Sequence, residues 1–342
     1  MPTIDDVARA CRVSKGTVSK ALDQRPGRRE VSAATRARII AVATDLGYEP
    51  AWRLRQRARR RSGNIGLVYA ARSPVQTGVY DGFAHAVADA LAQDDRRLLF
   101  VPLGADSTQW HRALTDQRID GCLVIDPAPA EVNRLLAIAG VPTVLINQVS
   151  SLGIPQVRAD DARAIQLLVA HCQALGHRRI AYVMRPRLGH PSEQERQAAF
   201  RTAAPRGSPL WIEELAGIPG RCRGADAPTA LIAYNAHDGI DLLRLLTASG
   251  VRVPQDMTLV ACDDTLEARL VQPALTVVDT PILAMGVRAA EIVEDLIEGR
   301  RQPGPDIIVL AGQLHIRESS GPPPVKKSVR PRTKKKAAPR HA

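Results

Sequence analysis

"VSKGTVSKAL", residues 13–22, sets two lysines, a glycine and three hydroxyl side chains on one short segment. Ser14 is a good N-cap and no proline follows until Pro26, so the spacing predicts a helix whose Val13, Val18 and Leu22 face inward. Lys15, Gly16, Thr17, Ser19 and Lys20 then share a solvent side on which this helix carries no acid. Upstream, Thr3 followed by Asp6 reads as a capping box, and Ile4, Val7, Ala8 and Cys11 form the apolar stripe of a two-turn helix. Downstream, Ser32 caps a third helix in "VSAATRARIIAVATDLGY", residues 31–48, with Ile39, Ile40, Ala43 and Leu46 expected inside and Gly47 at the C-terminal cap. Two short helices joined by a tight turn and braced by a third describe a helix-turn-helix. Its polar, cationic helix face suits the major groove, where hydroxyls and lysines meet phosphate oxygens and base edges.

Charge is distributed in keeping with that reading. The chain has 342 residues and a net charge of +12, and residues 1–62 hold fifteen Lys/Arg against six Asp/Glu. Residues 320–342, "SGPPPVKKSVRPRTKKKAAPRHA", hold eight cations and no acid, which leaves the stretch between the two ends net acidic. The ends therefore suit a polyanion. Proline and lysine leave the tail nothing to bury, so residues 320–342 are expected to be a disordered basic extension, either solubilising or touching DNA nonspecifically. Five scattered cysteines without a C-x-x-C pair fit a reduced cytosolic chain. The start, "MPTIDDVARA", lacks the charge and apolar run of a signal peptide, and no later stretch has the length of a membrane span.

The middle alternates short β-rich runs with helical ones. Ile65–Val68, Leu98–Val101, Cys122–Ile125 and Thr143–Ile146 are interleaved with helices at Gly82–Gln93 and Ala130–Ala139, and a second series runs through "RRIAYVM", Leu231–Tyr234 and Leu259–Cys262. This predicts two α/β lobes of parallel sheet flanked by helices, with a ligand cleft at the carboxyl ends of the strands.

The N-terminal stretch closely resembles the DNA-binding domain of LacI/GalR-family bacterial transcriptional regulators. The resemblance continues in order through "NIGLVYA", "RIDGCLVI", "GVPTVLIN", "LGHRRIAYVM", "APTALIAYN", "RVPQDMTLVACDDT" and "PALTVVDTP", covering roughly residues 3 to 320. It implies an α/β protein with a helix-turn-helix domain (residues 1–48), a hinge (49–62), a two-lobed periplasmic-binding-protein-like core (63–319) and the tail. It further implies a cytoplasmic, nucleoid-associated homodimer that binds double-stranded operator DNA, a repressor whose affinity a small sugar or nucleoside-like effector modulates, with no cofactor, metal or membrane. Thr3, Ser14, Lys15, Gly16, Thr17, Ser19, Lys20 and Thr35 would lie at DNA, with Lys15, Gly16 and Lys20 at base-reading positions. In the hinge, "EPAWRLRQRARRRSGNIG", Arg53, Leu54 and Arg57 would reach the minor groove; Leu54 stands where the family has alanine and Arg57 where it has a wedging leucine. The cleft would use Tyr80, Asn147, Arg196, Asn235 and Asp263.

Two departures are visible. Ala236 follows Asn235 where the family has aspartate, with Asp238 two places later, and "RCRGAD" replaces a family helix, so one cleft wall is expected to be remodelled. Aromatics amount to 3% of the chain, leaving Tyr69, Tyr80, Trp211 and Tyr234 as stacking candidates. The alternatives are a two-lobed solute-binding protein, disfavoured by the helix-turn-helix, and an α/β enzyme, disfavoured because G-x-S-x-G, P-loop, dinucleotide and zinc-protease signatures are absent. His111, His171 and His177 read as isolated surface or capping residues, and no catalytic residue is assigned.

Overall fold

The computed structural model describes residues 3–22, 31–46, 48, 62–70, 81–103, 119–125, 140–186, 190–224 and 226–324. Contacts divide the chain into two compact units, Met1–Ser62 and Gly63–Ala342.

The first unit holds α1 (Ile4–Cys11), α2 (Lys15–Leu22) and α3 (Ala33–Asp45). Val7, Ala8, Cys11, Val18, Ala21, Ile39 and Ala43 make its core, with Ile4, Val13 and Leu22 at the margin. Only part of the expected inner face of α3 is inside. Ile40 and Leu46 are 47% and 40% exposed, because Ile39 and Ala43, one turn apart, already fill the wedge between α1 and α2 and Ile40 points about 100° away. Arginines of α3 brace the other helices: Arg36 Nε donates to the Ala21 carbonyl at 3.1 Å and Arg38 Nη2 to that of Cys11 at 3.3 Å. Both carbonyls lie at helix ends, where the backbone has no partner of its own.

In the second unit, lobe 1 is built on a parallel sheet of order β11-β5-β4-β3-β1-β2. Its strands are β1 (Asn64–Ala70), β2 (Arg97–Leu103), β3 (Gly121–Ile125), β4 (Thr143–Ile146), β5 (Gln156–Ala159) and β11 (Ile307–Leu310). On one face pack α4 (Asp81–Ala92) and α10 (Ile282–Ile297), joined to the strands by a core that includes Ile65, Phe83, Leu123, Met285 and Val293. Lobe 2 has the order β12-β10-β9-β8-β6-β7. It comprises β6 (Ile180–Met184), β7 (Leu210–Ile212), β8 (Ala230–Ala233), β9 (Thr258–Cys262), β10 (Thr276–Val278) and β12 (Leu314–His315), with α5 (Asp161–Ala174), α6 (Pro191–Ala203), α7 (Ile218–Arg221), α8 (Ala236–Ala248) and α9 (Leu266–Leu270). All its pairings are parallel except β12, which runs antiparallel to β10. The two faces bury separate cores, one around Leu231, Leu242 and Leu259, the other around Ile165, Tyr182 and Phe200.

The chain crosses between lobes after β5, after β10 and after β11, so each lobe is assembled from distant segments. At the third crossing a Cβ on Gly312 would overlap the Asp279 carbonyl oxygen. Only glycine permits that backbone approach.

Two expectations are corrected here. His177 is 2% exposed. Its Nε2–H donates to the Gly321 carbonyl at 2.8 Å, and Nδ1 lies 2.8 Å from the Thr229 hydroxyl, which fixes Nδ1 as the acceptor. The Ser320 hydroxyl lies 3.0 Å from His171 Nε2, and Ser319 is fully buried, accepting from the Thr276 N–H at 2.8 Å. These histidines clasp the C-terminal segment, so the ordered chain runs past Ser320, where the tail was expected to start. Residues 325–342, Gly47, the Ala130–Ala139 helix, the hinge from 49 to 61 and His111 lie outside the described residues. Of "RCRGAD", residues 221–226, only Arg221 is helical among the described residues, as the end of the single-turn α7, which follows a short 3-10 turn at Leu215–Gly217.

Candidate functional site

The DNA-facing candidates sit on α1, α2 and α3. Ser14 caps α2 as expected: its hydroxyl accepts from the Thr17 N–H at 3.1 Å and lies 2.9 Å from the Thr17 hydroxyl. Thr3 N–H and hydroxyl both donate to Asp6 Oδ2, at 2.8 and 2.7 Å, which holds the Asp6 carboxyl below its ordinary range. Thr35 is held in the same way by Ser32, hydroxyl to hydroxyl at 2.8 Å. Lys15 is not a bare cation, because its Nζ lies 2.6 Å from Asp5 Oδ1 of α1. That acid lay outside the helix considered alone. Gly16, Ser19 and Lys20 are exposed, and Lys20 has no ion pair to a described residue. Arg53, Leu54 and Arg57 lie outside the described residues.

In the core, the structure brings Arg196 and Asp263 together. Arg196, on the first turns of α6, is 6% exposed. Its Nε donates to Asp161 Oδ1 at 2.6 Å, its Nη1 to the Tyr234 carbonyl at 2.6 Å, and its Nη2 lies 3.5 Å from Asp263 Oδ1. The guanidinium also stacks 4.9 Å from the centre of the Tyr234 ring. Burial alone would depress its pKa, but the flanking carboxylates Asp161 and Asp263 outweigh it and hold the pKa well above the usual arginine value.

Asp263 follows β9 with φ 72°, and Asn147 follows β4 with φ 50°. Left-handed backbone in residues other than glycine is uncommon and collects at functional sites. Asp263 Oδ1 also accepts from the Thr280 hydroxyl at 2.7 Å, and Thr280 stands in the second crossing between lobes. Asn147 belongs to lobe 1, where its Oδ1 accepts from the Ala159 N–H at 3.1 Å, beside the first crossing. Asn235 is the N-cap of α8, its Oδ1 accepting from the Asp238 N–H at 2.8 Å.

Tyr234 is spoken for: besides lying against Arg196, its hydroxyl meets Ser192 at 2.7 Å, and only 7% of it is exposed. The Trp211 ring carries Arg221 at 5.4 Å, and Tyr69 meets Phe100 edge-on at 6.3 Å. Tyr80 lies outside the described residues. Sequence reasoning missed Asp161, Thr280 and Arg185. Arg185 directly follows β6 and pairs with the fully buried Asp238 at 3.1 Å and with Asp241. An acid directly after a strand and opening a helix, as in "ADDARA", was the available signal for Asp161.

Comparison with known proteins agrees with this architecture. Residues 3–51 match the description "Bacterial regulatory proteins, lacI family", and residues 169–320 match "Periplasmic binding protein-like domain". The regulator PtxS of Pseudomonas plecoglossicida is 30% identical over 93% of this chain and 95% of its own. CelR of Thermobifida fusca is 30% identical over 93% of this chain and 98% of its own. Among solved structures, a CelR–cellobiose complex superposes with a TM-score of 0.65 at 26% identity, covering 94% of this chain and all of the other. The Lac repressor dimer bound to operator shares the fold, with a TM-score of 0.64 at 21% identity over 94% of this chain and 99% of the other. Helix-turn-helix, two crossing-linked α/β lobes and these relatives together place the chain in the LacI family of bacterial transcriptional regulators, with a DNA-binding domain and an effector-binding domain.

Proposed function

We propose that this chain is a homodimeric repressor that reads its operator with α2 and releases it, or grips it, according to a small polyhydroxyl molecule held between the lobes. The observation that carries the reading is the hydrogen bond from Thr280 to Asp263, because it joins a cleft carboxylate to an inter-lobe crossing. A ligand hydroxyl donated to Asp263 competes with Thr280, and the balance between two lobe arrangements shifts with it. By linkage the effector then alters DNA affinity as much as DNA alters effector affinity, typically by about 1–3 kcal/mol. On the DNA side, Lys20 prefers guanine O6 and N7 in the major groove, and Ser14, Thr17, Ser19, Thr3 and Thr35 supply phosphate contacts. Arg57 of the hinge suits the negative potential of a narrow A·T-rich minor groove at the operator centre. Exposed Leu266 and Leu270 of α9 (65% and 70%) and Phe100 of β2 (56%) supply the apolar surface a self-complementary dimer needs. A chromosomal target sets the protein in the cytoplasm at the nucleoid.

The test is a titration of sugars against a complex of the full chain with its selected operator, beginning with cellobiose because the relative CelR binds it. One sugar should change operator affinity by about 5-fold to 150-fold, and Asp263→Asn should abolish the change while leaving effector-free affinity within about twofold of wild type. An effector response undiminished in Asp263→Asn would remove that carboxylate from the site.

A further inference from the structure

The resemblance assigns Arg196 to gripping the effector, yet each of its three guanidinium nitrogens already faces a group of the protein. Nε is taken by Asp161, Nη1 by the Tyr234 carbonyl, Nη2 faces Asp263, and one face of the plane rests on the Tyr234 ring. The side chains of Arg196 and Asp161 are 7% and 9% exposed, whereas that of Asp263 is 15% exposed. The accessible group of the cluster is therefore a carboxylate. Two carboxylates around one guanidinium leave the cluster one charge negative, and in a partly buried setting that charge is weakly screened.

At the neighbouring strand end Arg185 is likewise engaged by carboxylates, Asp238 and Asp241, and the exposed Arg244 also reaches Asp241 at 4.0 Å. An incoming carboxylate or phosphate would meet net negative charge at the Arg196 cluster, where Arg196 and the neighbouring Arg185 are both already engaged by carboxylates.

We propose that Asp161 is a specificity-determining residue of the cleft: by engaging Arg196 it withholds the guanidinium from anions, so the site takes a neutral or cationic, hydrogen-bond-donating effector and rejects carboxylate- and phosphate-bearing ones. The proposal rests on the reading of this cleft as the effector site.

Its test uses inorganic phosphate as the anionic probe, titrated against chloride at constant ionic strength, with thermal unfolding of the full-length protein as readout. Phosphate binding at the basic DNA-facing unit is common to all variants, so differences between them report the cleft. Wild type, Arg196→Lys and the charge-conserving Asp161→Glu should give the same phosphate response. Asp161→Asn should gain a saturable rise in Tm of about 2–4 °C at ten times the apparent Kd, and the double variant Asp161→Asn, Arg196→Lys should lose it. A wild-type response that Arg196→Lys removes would overturn the proposal, and this comparison needs no Asp161 variant to fold. A folded Asp161→Asn indistinguishable from Asp161→Glu would overturn it as well. The effector reading fails on a different result, the absence of any small molecule that changes operator affinity, and the phosphate comparison keeps its meaning in that case.

Discussion

Truncating Arg196 would strand Asp161, the Tyr234 carbonyl and one side of Asp263 in a largely dry place. Removing one partner of a buried pair costs about 3–5 kcal/mol, so Arg196→Ala should lower unfolding stability by that amount in a urea titration, independently of any effector. A loss below about 1 kcal/mol would show that the guanidinium is solvated rather than structural. This position is therefore a poor choice for testing effector recognition by truncation, and Asp263→Asn, which keeps size and the Thr280 contact, is the better one. His177 gives a second residue-scale expectation. Burial lowers its pKa below the ordinary 6.5, against a smaller opposing effect of the Gly321 carbonyl. The unfolded chain then takes up the proton first as pH falls. The histidine's contribution is complete above about pH 6.5 and declines as pH drops toward the folded pKa. The unfolding midpoint should fall between about pH 7 and pH 5, and by less in His177→Gln; equal slopes would mean that the clasp on Gly321 is indifferent to protonation.

At the scale of elements, α10 and α4 approach closely because Gly286 faces α4 without a side chain. A Cβ there would stand 2.9 Å from the Phe83 carbonyl and 3.0 Å from Ala86 Cβ. Gly286→Leu should push the helices apart at a cost of about 1–3 kcal/mol, read as a lower urea midpoint with the same slope. An unchanged midpoint would mean the pair yields without strain. Strands of both lobes were legible from residue order: Ile65–Val68, Cys122–Ile125, Thr143–Ile146 and Leu259–Cys262 all fall inside observed strands, since short apolar runs between helical stretches leave few other readings. Helix faces were less legible. Ile40 matched the periodicity of α3 yet is exposed, because burial depends on where α1 and α2 end, and periodicity carries no record of that. The same limit hid Asp5 beside Lys15 and Asp161 beside Arg196, pairs brought together by packing over distances that no local spacing encodes. Asn235 shows the opposite case, a cleft candidate whose capping role was readable from the helix it starts.

At the scale of the molecule, the proposed function requires that two copies present two α2 helices to one duplex. Leu270→Asp on the exposed α9 should convert a dimer to monomers in sedimentation at micromolar protein, and operator affinity should drop with it, since each half-site alone is bound weakly; a variant that sediments as wild type would move the dimer contact elsewhere. The central claim, that α2 reads a specific two-fold symmetric operator, is tested most directly by selecting bound duplexes from a random pool with full-length wild type and with Lys20→Ala. The account predicts a palindromic site for wild type. It predicts for Lys20→Ala the same half-site spacing, a loss of about 1–3 kcal/mol on that site and a relaxed preference at one symmetric base pair per half-site. Selection of no common sequence, or an identical motif bound uniformly more weakly by Lys20→Ala, would contradict it.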